Sequence, residues 1–203
     1  MAALRLAIDA NEANVAQPVG SNVYALRLIQ ELYQLCKKSS RYQVTVLLAA
    51  HRIADLPAPR ANWRYVIVTP RKFWTQWALP IHLSLHRHDY DVFFTPGHYA
   101  PRFSSVPYIS SVMDLAYLHF PQQFRPLDLW QLTNWTKYSV HRAQQILTIS
   151  QFSKTEIVKH YQLPAKNITV AYPASSLAKA ASQANFKAFL KNIIVHCCNV
   201  LFT

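Results

Sequence analysis

The 203-residue sequence predicts an α/β protein, a three-layer Rossmann-like sandwich with a largely parallel sheet. Two observations lead to it. Short β-branched apolar runs alternate along the chain with longer segments whose apolar residues recur every three or four positions. The composition, 51% hydrophobic and 15% charged, belongs to a chain with a core and excludes a disordered one. No uninterrupted apolar run reaches the ~18 residues of a membrane-spanning helix. A chain of this length buries one good α/β core, and two complete domains would be cramped.

Leu4–Ile8 reads as the first strand, followed by a polar loop from Asp9 to Gly20. Tyr24, Leu28, Leu32 and Leu35 recur at helical spacing, so a helix runs from Ser21 to about Lys38. Gln43–Ala49 and Arg64–Thr69 branch and alternate like strands. Trp74, Trp77, Ile81 and Leu85 form a second helical stripe, interrupted at Pro80 and read as core. Asp91–Thr95 and Val106–Met113 are strands, Leu127–Arg142 a helix, and Gln145–Ile149 a strand. A helix opens at Ser150 or Gln151 and runs to about Tyr161, and Asn167–Ala171 is a short last strand. Pro173–Ser182 has linker composition, Ala184–Lys191 reads as a helix, and Ile193–Phe202 is an apolar tail.

Lys and Arg number 21 against nine carboxylates, a net charge of +12 that attracts phosphate-bearing ligands. No Lys/Arg run exceeds two residues, which favours a generally basic surface over a polybasic patch. The RNP-type aromatic motifs of RNA-binding sheets are absent, so no nucleic-acid partner is expected. Cys36 stands alone and Cys197 and Cys198 are adjacent, which fits neither a disulfide framework nor a zinc site. No metal or cofactor is expected. A cytoplasmic protein is the default, with peripheral membrane contact left open because Trp74 and Trp77 lie beside Arg71 and Lys72. Glycine occurs only at Gly20 and Gly97, each read as a strand-exit position that tolerates no Cβ.

The segment Asp91–Phe124 carries most of the candidate chemistry. Its two strands each end in a loop with polar and aromatic side chains, as ligand sites of open α/β sheets do. His98, Tyr99 and Arg102 follow the first strand, and can bind hydroxyls or a phosphate; the histidine can also act as acid or base. Asp114 follows the second, where a carboxylate can grip a ligand hydroxyl. His119 is a further candidate, or else a histidine packed among aromatics. Gly20 and Ser21 open the first helix, where free N–H groups suit a phosphate, or Ser21 simply caps the helix. Ser150 is first a helix cap.

Several motifs together resemble the N-terminal domain of retaining, two-domain (GT-B) glycosyltransferases of family four. They are Ile8-Asp9-Ala10 with Gly20-Ser21, Asp91-Val92-Phe93-Phe94, Val112-Met113-Asp114-Leu115 with Phe120-Pro121, Ile149-Ser150-Gln151-Phe152-Ser153-Lys154, and Val170-Ala171-Tyr172-Pro173. The resemblance implies an acceptor-binding domain over residues 1–172, with a linker and a truncated or frameshifted tail over 173–203. It implies transfer of a hexose or mannose-like sugar from a nucleotide-sugar to a saccharide or lipid-linked acceptor, normally without a metal. Gly20 and Ser21 would then touch donor phosphates, Tyr99 and Arg102 the acceptor, and Asp114, His98 and His119 would be catalytic. Many such proteins carry histidine where this chain has Met113, so that role is vacant or falls to His98 or His119. Their donor domain supplies paired glutamates, whereas the last carboxylate here is Glu156, so this chain alone is expected to be inactive. A stand-alone module binding phosphorylated or nucleic-acid ligands, or a non-catalytic remnant, is the alternative.

Overall fold

The computed structural model describes residues 3–173. Seven strands form one sheet: β1 Leu4–Asp9, β2 Tyr42–Leu48, β3 Trp63–Ile67, β4 Val92–Thr95, β5 Tyr108–Ser111, β6 Gln145–Thr148 and β7 Ile168–Val170. Their order is β3-β2-β1-β4-β5-β6-β7, and every neighbouring pair is parallel. The chain winds outward from β1 to β3, then returns to the other side of β1 as β4. The reversal between β1 and β4 is the topological switch point, where diverging loops leave a crevice at the carboxyl ends of the strands.

Both sheet faces are covered, which is why the strands read as near-continuous apolar runs. The helix α1, Gly20–Lys37, lays Ala25, Leu28, Ile29, Leu32 and Cys36 on one face, against Leu6, Ile8, Val44, Val46, Val92 and Phe94. On the opposite face Ala7, Leu47, Phe93 and Tyr108 pack with Trp74, Ala78, Leu79 and Leu83. The period of two along β1, with Leu6 and Ile8 to one side and Ala7 to the other, places these side chains. Burial raises the Cys36 thiol to about 11, which leaves it an unreactive core residue.

The elements match the sequence reading to within a few residues, with particular corrections. Val106–Met113 is strand only over Tyr108–Ser111. A short α3, Ala116–His119, and 3-10 turns at Pro121–Gln123 and Ala165–Asn167 were not anticipated, because elements of three or four residues have no periodicity to read. The second helical stripe is a π-type turn over Trp74–Ala78 running into α2, Leu79–Leu85, with Pro80 in the first turn of α2. Only Trp74 of the predicted stripe is buried. Trp77, Ile81 and Leu85 face outward, and the buried stripe is Trp74, Ala78, Leu79 and Leu83.

The two glycines are also corrected. Neither has a positive φ, a Cβ on Gly20 would meet nothing within 4 Å, and one on Gly97 would only touch Thr95 Oγ1 at 3.6 Å. Gly20 is the first residue of α1 and not the residue at which the chain leaves β1, which ends at Asp9. The remaining helices are α4, Pro126–Arg142, and α5, Gln151–Tyr161, which pack with Ile146 and Ile168 in a third cluster. The helix over Ala184–Lys191, the apolar tail and the Cys197-Cys198 pair lie outside the described residues.

Candidate functional site

The loop leaving β1 is built by its own side chains. Asp9 Oδ1 accepts from the Asn11 backbone and side chain, both at 3.0 Å, folding the chain back directly after the strand. Asn11 Oδ1 accepts from Ala49 N at 2.7 Å, and Asn14 Oδ1 from Ile53 N at 2.9 Å, so both asparagines tie this loop to the one after β2. Glu12 is clamped to the start of α1: Ser21 Oγ donates to Glu12 Oε1 at 2.7 Å, and Asn22 Nδ2 donates to the same oxygen at 3.0 Å. Ser21 is therefore not the N-cap. Val19 holds that position, its N–H donating to Asn22 Oδ1 at 3.1 Å.

The loop leaving β4 is held from α4. Ala100 N donates to Ser139 Oγ at 2.8 Å in the interior, and Ser139 Oγ donates to the half-buried Trp135 O at 2.7 Å. Tyr99 meets the edge of Trp135, ring centroids 4.9 Å apart. Between the two loops, at the switch point, lies a cleft of about 300 Å³. Asp9, Asn11 and Glu12 line one side, Thr95, Gly97, His98 and Tyr99 another, and Thr75, Asp128, Gln131 and Leu132 close it.

This lining holds three carboxylates and no Lys or Arg, although the chain as a whole is +12. Burial lifts the Asp9 carboxyl from 3.8 to about 6; the Asn11 hydrogen bonds oppose that rise and Glu12 adds to it. Thr95 is 1% exposed and influences Asp9, but its hydroxyl closes no hydrogen bond of good geometry. His98 is held below its ordinary value by burial, with Asp114 and Glu12 pulling the other way, and its Nδ1 is buried without a partner. The imidazole is thus neutral near pH 7, with hydrogen-bonding capacity unspent. Such a lining receives hydroxyls well and repels phosphates. The acidic side chains do not converge: among the described residues no group of three His, Cys, Asp or Glu could hold a metal ion.

Asp114 and His119 lie in a second cleft, with Leu115, Ala116, Phe120, Phe152, Ser153 and Glu156. Asp114 is exposed and accepts from Ala116 N at 3.0 Å in a local turn ahead of α3, whose N-cap is Leu115, and its other oxygen is free. His119 is exposed, its ring centroid 6.4 Å from that of Phe120, and its Nε2 sits 2.6 Å from Glu156 Oε2, so it has both an aromatic neighbour and a carboxylate partner. Ser150 caps α5, accepting from Ser153 N at 3.0 Å.

The structure therefore divides the sequence candidates. His98 and Tyr99 line the first cleft and Asp114 and His119 the second, with His98 and Asp114 close enough to interact electrostatically. Arg102 is exposed and lines neither, its carbonyl accepting from Arg142 at 2.9 Å. Gly20 and Ser21 border the first cleft only through Glu12. Asp9, Glu12, Thr95 and Asp128 were missed as site residues. The one available signal was the Asp-x-Asn-Glu-x-Asn pattern directly after a strand, whose asparagines build the loop.

One solved structure shares this architecture. The chain aligns with the crystal structure of Anabaena Alr3699/HepE in complex with UDP-glucose at a TM-score of 0.50 and 16% identity, covering 85% of this chain and 44% of that one. A glycosyltransferase from Rickettsia africae aligns at a TM-score of 0.47 and 9% identity, covering 95% and 50%. The chain thus spans about half the length of these solved proteins. No curated protein matches it. Residues 19–178 match the family model described as Glycosyltransferase Family 4, and the chain belongs to that family.

Proposed function

We propose that residues 1–172 are the acceptor-side domain of a glycosyltransferase. The reaction is transfer of a hexose or mannose-like sugar from a nucleotide-sugar to a hydroxyl of a saccharide or lipid-linked acceptor. The observation that carries this reading is the switch-point cleft, lined by Asp9, Glu12, Asp128, Thr95 and His98 without a cation. Carboxylates accept from sugar hydroxyls, and the unpartnered Thr95 and His98 atoms have capacity for more. In this reading the neutral His98 takes the proton of the attacking hydroxyl. Asp114, electrostatically coupled to His98, and His119, held by Glu156, are the further acid–base candidates from the neighbouring cleft. Tyr99 offers a ring and a phenol to the acceptor, and Arg102 a cation at the outer edge of the same loop.

The solved UDP-glucose complex supports a nucleotide-sugar as the donor class. In this reading a second domain supplies most of the donor site, and the open space above Gly20 lets donor phosphates approach the start of α1. Residues 173–203 serve as the linker and tail. One domain cannot position donor against acceptor, so it lacks the proximity that lowers the barrier.

Saturation-transfer NMR on the 203-residue chain tests the proposal, using a panel of neutral disaccharides and nucleotide-sugars. Saccharide signals that weaken on Glu12→Gln and Asp128→Asn are expected, together with no transfer of radiolabel from nucleotide-sugars by this chain alone. Absence of saccharide binding, with salt-sensitive binding of nucleic acid in its place, overturns the reading in favour of a phosphate-binding module. Transfer above the no-enzyme control overturns the inactivity of the single domain.

A further inference from the structure

The segment from Arg71 to Leu85 presents an outward face that neither the core nor the cleft uses. Phe73, Trp77, Ile81 and Leu85 are 65, 65, 54 and 77% exposed. Their four-residue spacing puts them along one side of the helical segment, opposite the buried Trp74, Ala78 and Leu83. The segment is therefore apolar on two sides, and among the described residues only one of them faces protein. Phe73 adopts a left-handed backbone, φ 57° and ψ 31°, with its ring in solvent rather than in the core. That conformation is unfavourable for a bulky residue, and here it caps the π-type turn, the Phe73 carbonyl accepting from Gln76 N at 3.1 Å and Trp77 N at 2.9 Å.

Charge identifies what covers this face. Arg71 and Lys72 are both exposed at the head of the stripe, with Lys72 Nζ 5.4 Å from the centre of the Phe73 ring. Arg87 follows its far end, and the nearby Asp89 is already engaged by His86 at 2.9 Å. A second copy of this +12 chain would bring cation against cation here. A plane of anionic headgroups accepts the cationic ends, while indole and aliphatic side chains enter the interfacial region.

We infer that this face docks the chain on an anionic phospholipid bilayer. The docking stands on these residues alone. Its consequence for substrate rests on the acceptor reading of the cleft. Thr75 lines that cleft and Trp77, two residues on, faces outward, so docking holds the cleft beside the membrane surface. The acceptor is then a sugar on a lipid carrier, with its hydroxyls in the cleft and its anchor in the bilayer.

Co-sedimentation of the full 203-residue chain with vesicles tests the inference, comparing pure phosphatidylcholine with an equal mixture of phosphatidylcholine and phosphatidylglycerol. Binding to the mixed vesicles is expected, weakened about 30-fold by Arg71→Gln with Lys72→Gln, each charge near an anionic surface counting for a factor of about five. Trp77→Ser with Ile81→Ser should weaken it about 100-fold by removing apolar burial. Because these side chains are exposed, circular dichroism and the melting temperature should not move. Lys37→Gln with Lys38→Gln removes the same charge elsewhere and should leave binding nearly unchanged.

Any of three results overturns the inference: no binding to mixed vesicles, equal loss from the Lys37/Lys38 control, or a dimer in light scattering that Trp77→Ser with Ile81→Ser abolishes. Failure here leaves saccharide binding in solution untouched, so it is distinguishable from failure of the acceptor reading.

Discussion

Replacing Asp9 by asparagine should stabilise this protein at neutral pH and weaken its site. In the fold the carboxyl lies half-buried in the wall of the cleft, and burial raises it from 3.8 to about 6 against the pull of the Asn11 hydrogen bonds. A rise of that size corresponds to about 3 kcal/mol of preference for the protonated folded form. The sign follows from linkage. With the folded value above the unfolded one, this stabilisation is complete below about pH 4 and is lost as pH rises through about 6. Asparagine keeps the Oδ1 acceptor that both Asn11 bonds use and carries no charge at any pH.

Asp9→Asn should therefore match the wild type near pH 4 and exceed it by up to about 3 kcal/mol near pH 8. Urea unfolding at the two pH values, read as midpoint and slope, measures the difference. His98, whose lowered value makes it favour the fold at the higher pH, is common to both proteins and cancels unless coupled to Asp9. A stability gap that does not grow with pH, or an asparagine variant less stable at pH 8, would refute the burial argument. The variant should also bind saccharide more weakly, since a charge kept at a cost in stability marks a site residue.

Two further outcomes follow from the structure. Ser139→Ala leaves the buried Ala100 N–H without its 2.8 Å acceptor and should cost about 1–3 kcal/mol, with faster hydrogen exchange at Ala100; unchanged unfolding would show that the serine does not hold the His98 loop. Asp91 accepts from Arg5 N at 2.8 Å and Nη2 at 2.6 Å, tying the starts of β1 and β4 together. Burial pushes the Asp91 carboxyl up, but the Arg5 bonds and charge outweigh it and hold the group below its ordinary value. Its contribution is present above about pH 4 and lost as pH falls through the lowered folded value, so Asp91→Asn should cost about 1 kcal/mol near neutrality and nearly nothing near pH 2, Arg5 being partly solvent-screened. An equal loss at both pH values would show that the ion pair is not the cause.

The sequence by itself determined the alternation of strand and helix, and hence the layered α/β class. It did so because each element buries one face or both, and burial writes its period into the apolar residues, as in Leu6, Ala7 and Ile8 or Ala25, Leu28, Ile29 and Leu32. It also placed His98 and Tyr99 beside a cleft, since residues just past a parallel strand collect at one edge of the sheet. Which strands become neighbours is a long-range matter, and no local pattern says that β4 lies against β1.

Only the tertiary structure could bring Asp9, Thr95 and Asp128, from three distant segments, into one enclosure, and only that enclosure raises the Asp9 carboxyl. The same limit applies to the stripe of Trp77, Ile81 and Leu85. Its spacing is that of a core helix, and spacing records that side chains share a side without recording which side meets protein. That was decided by Trp74 and Leu83, which fit the sheet and turned the others to the outside.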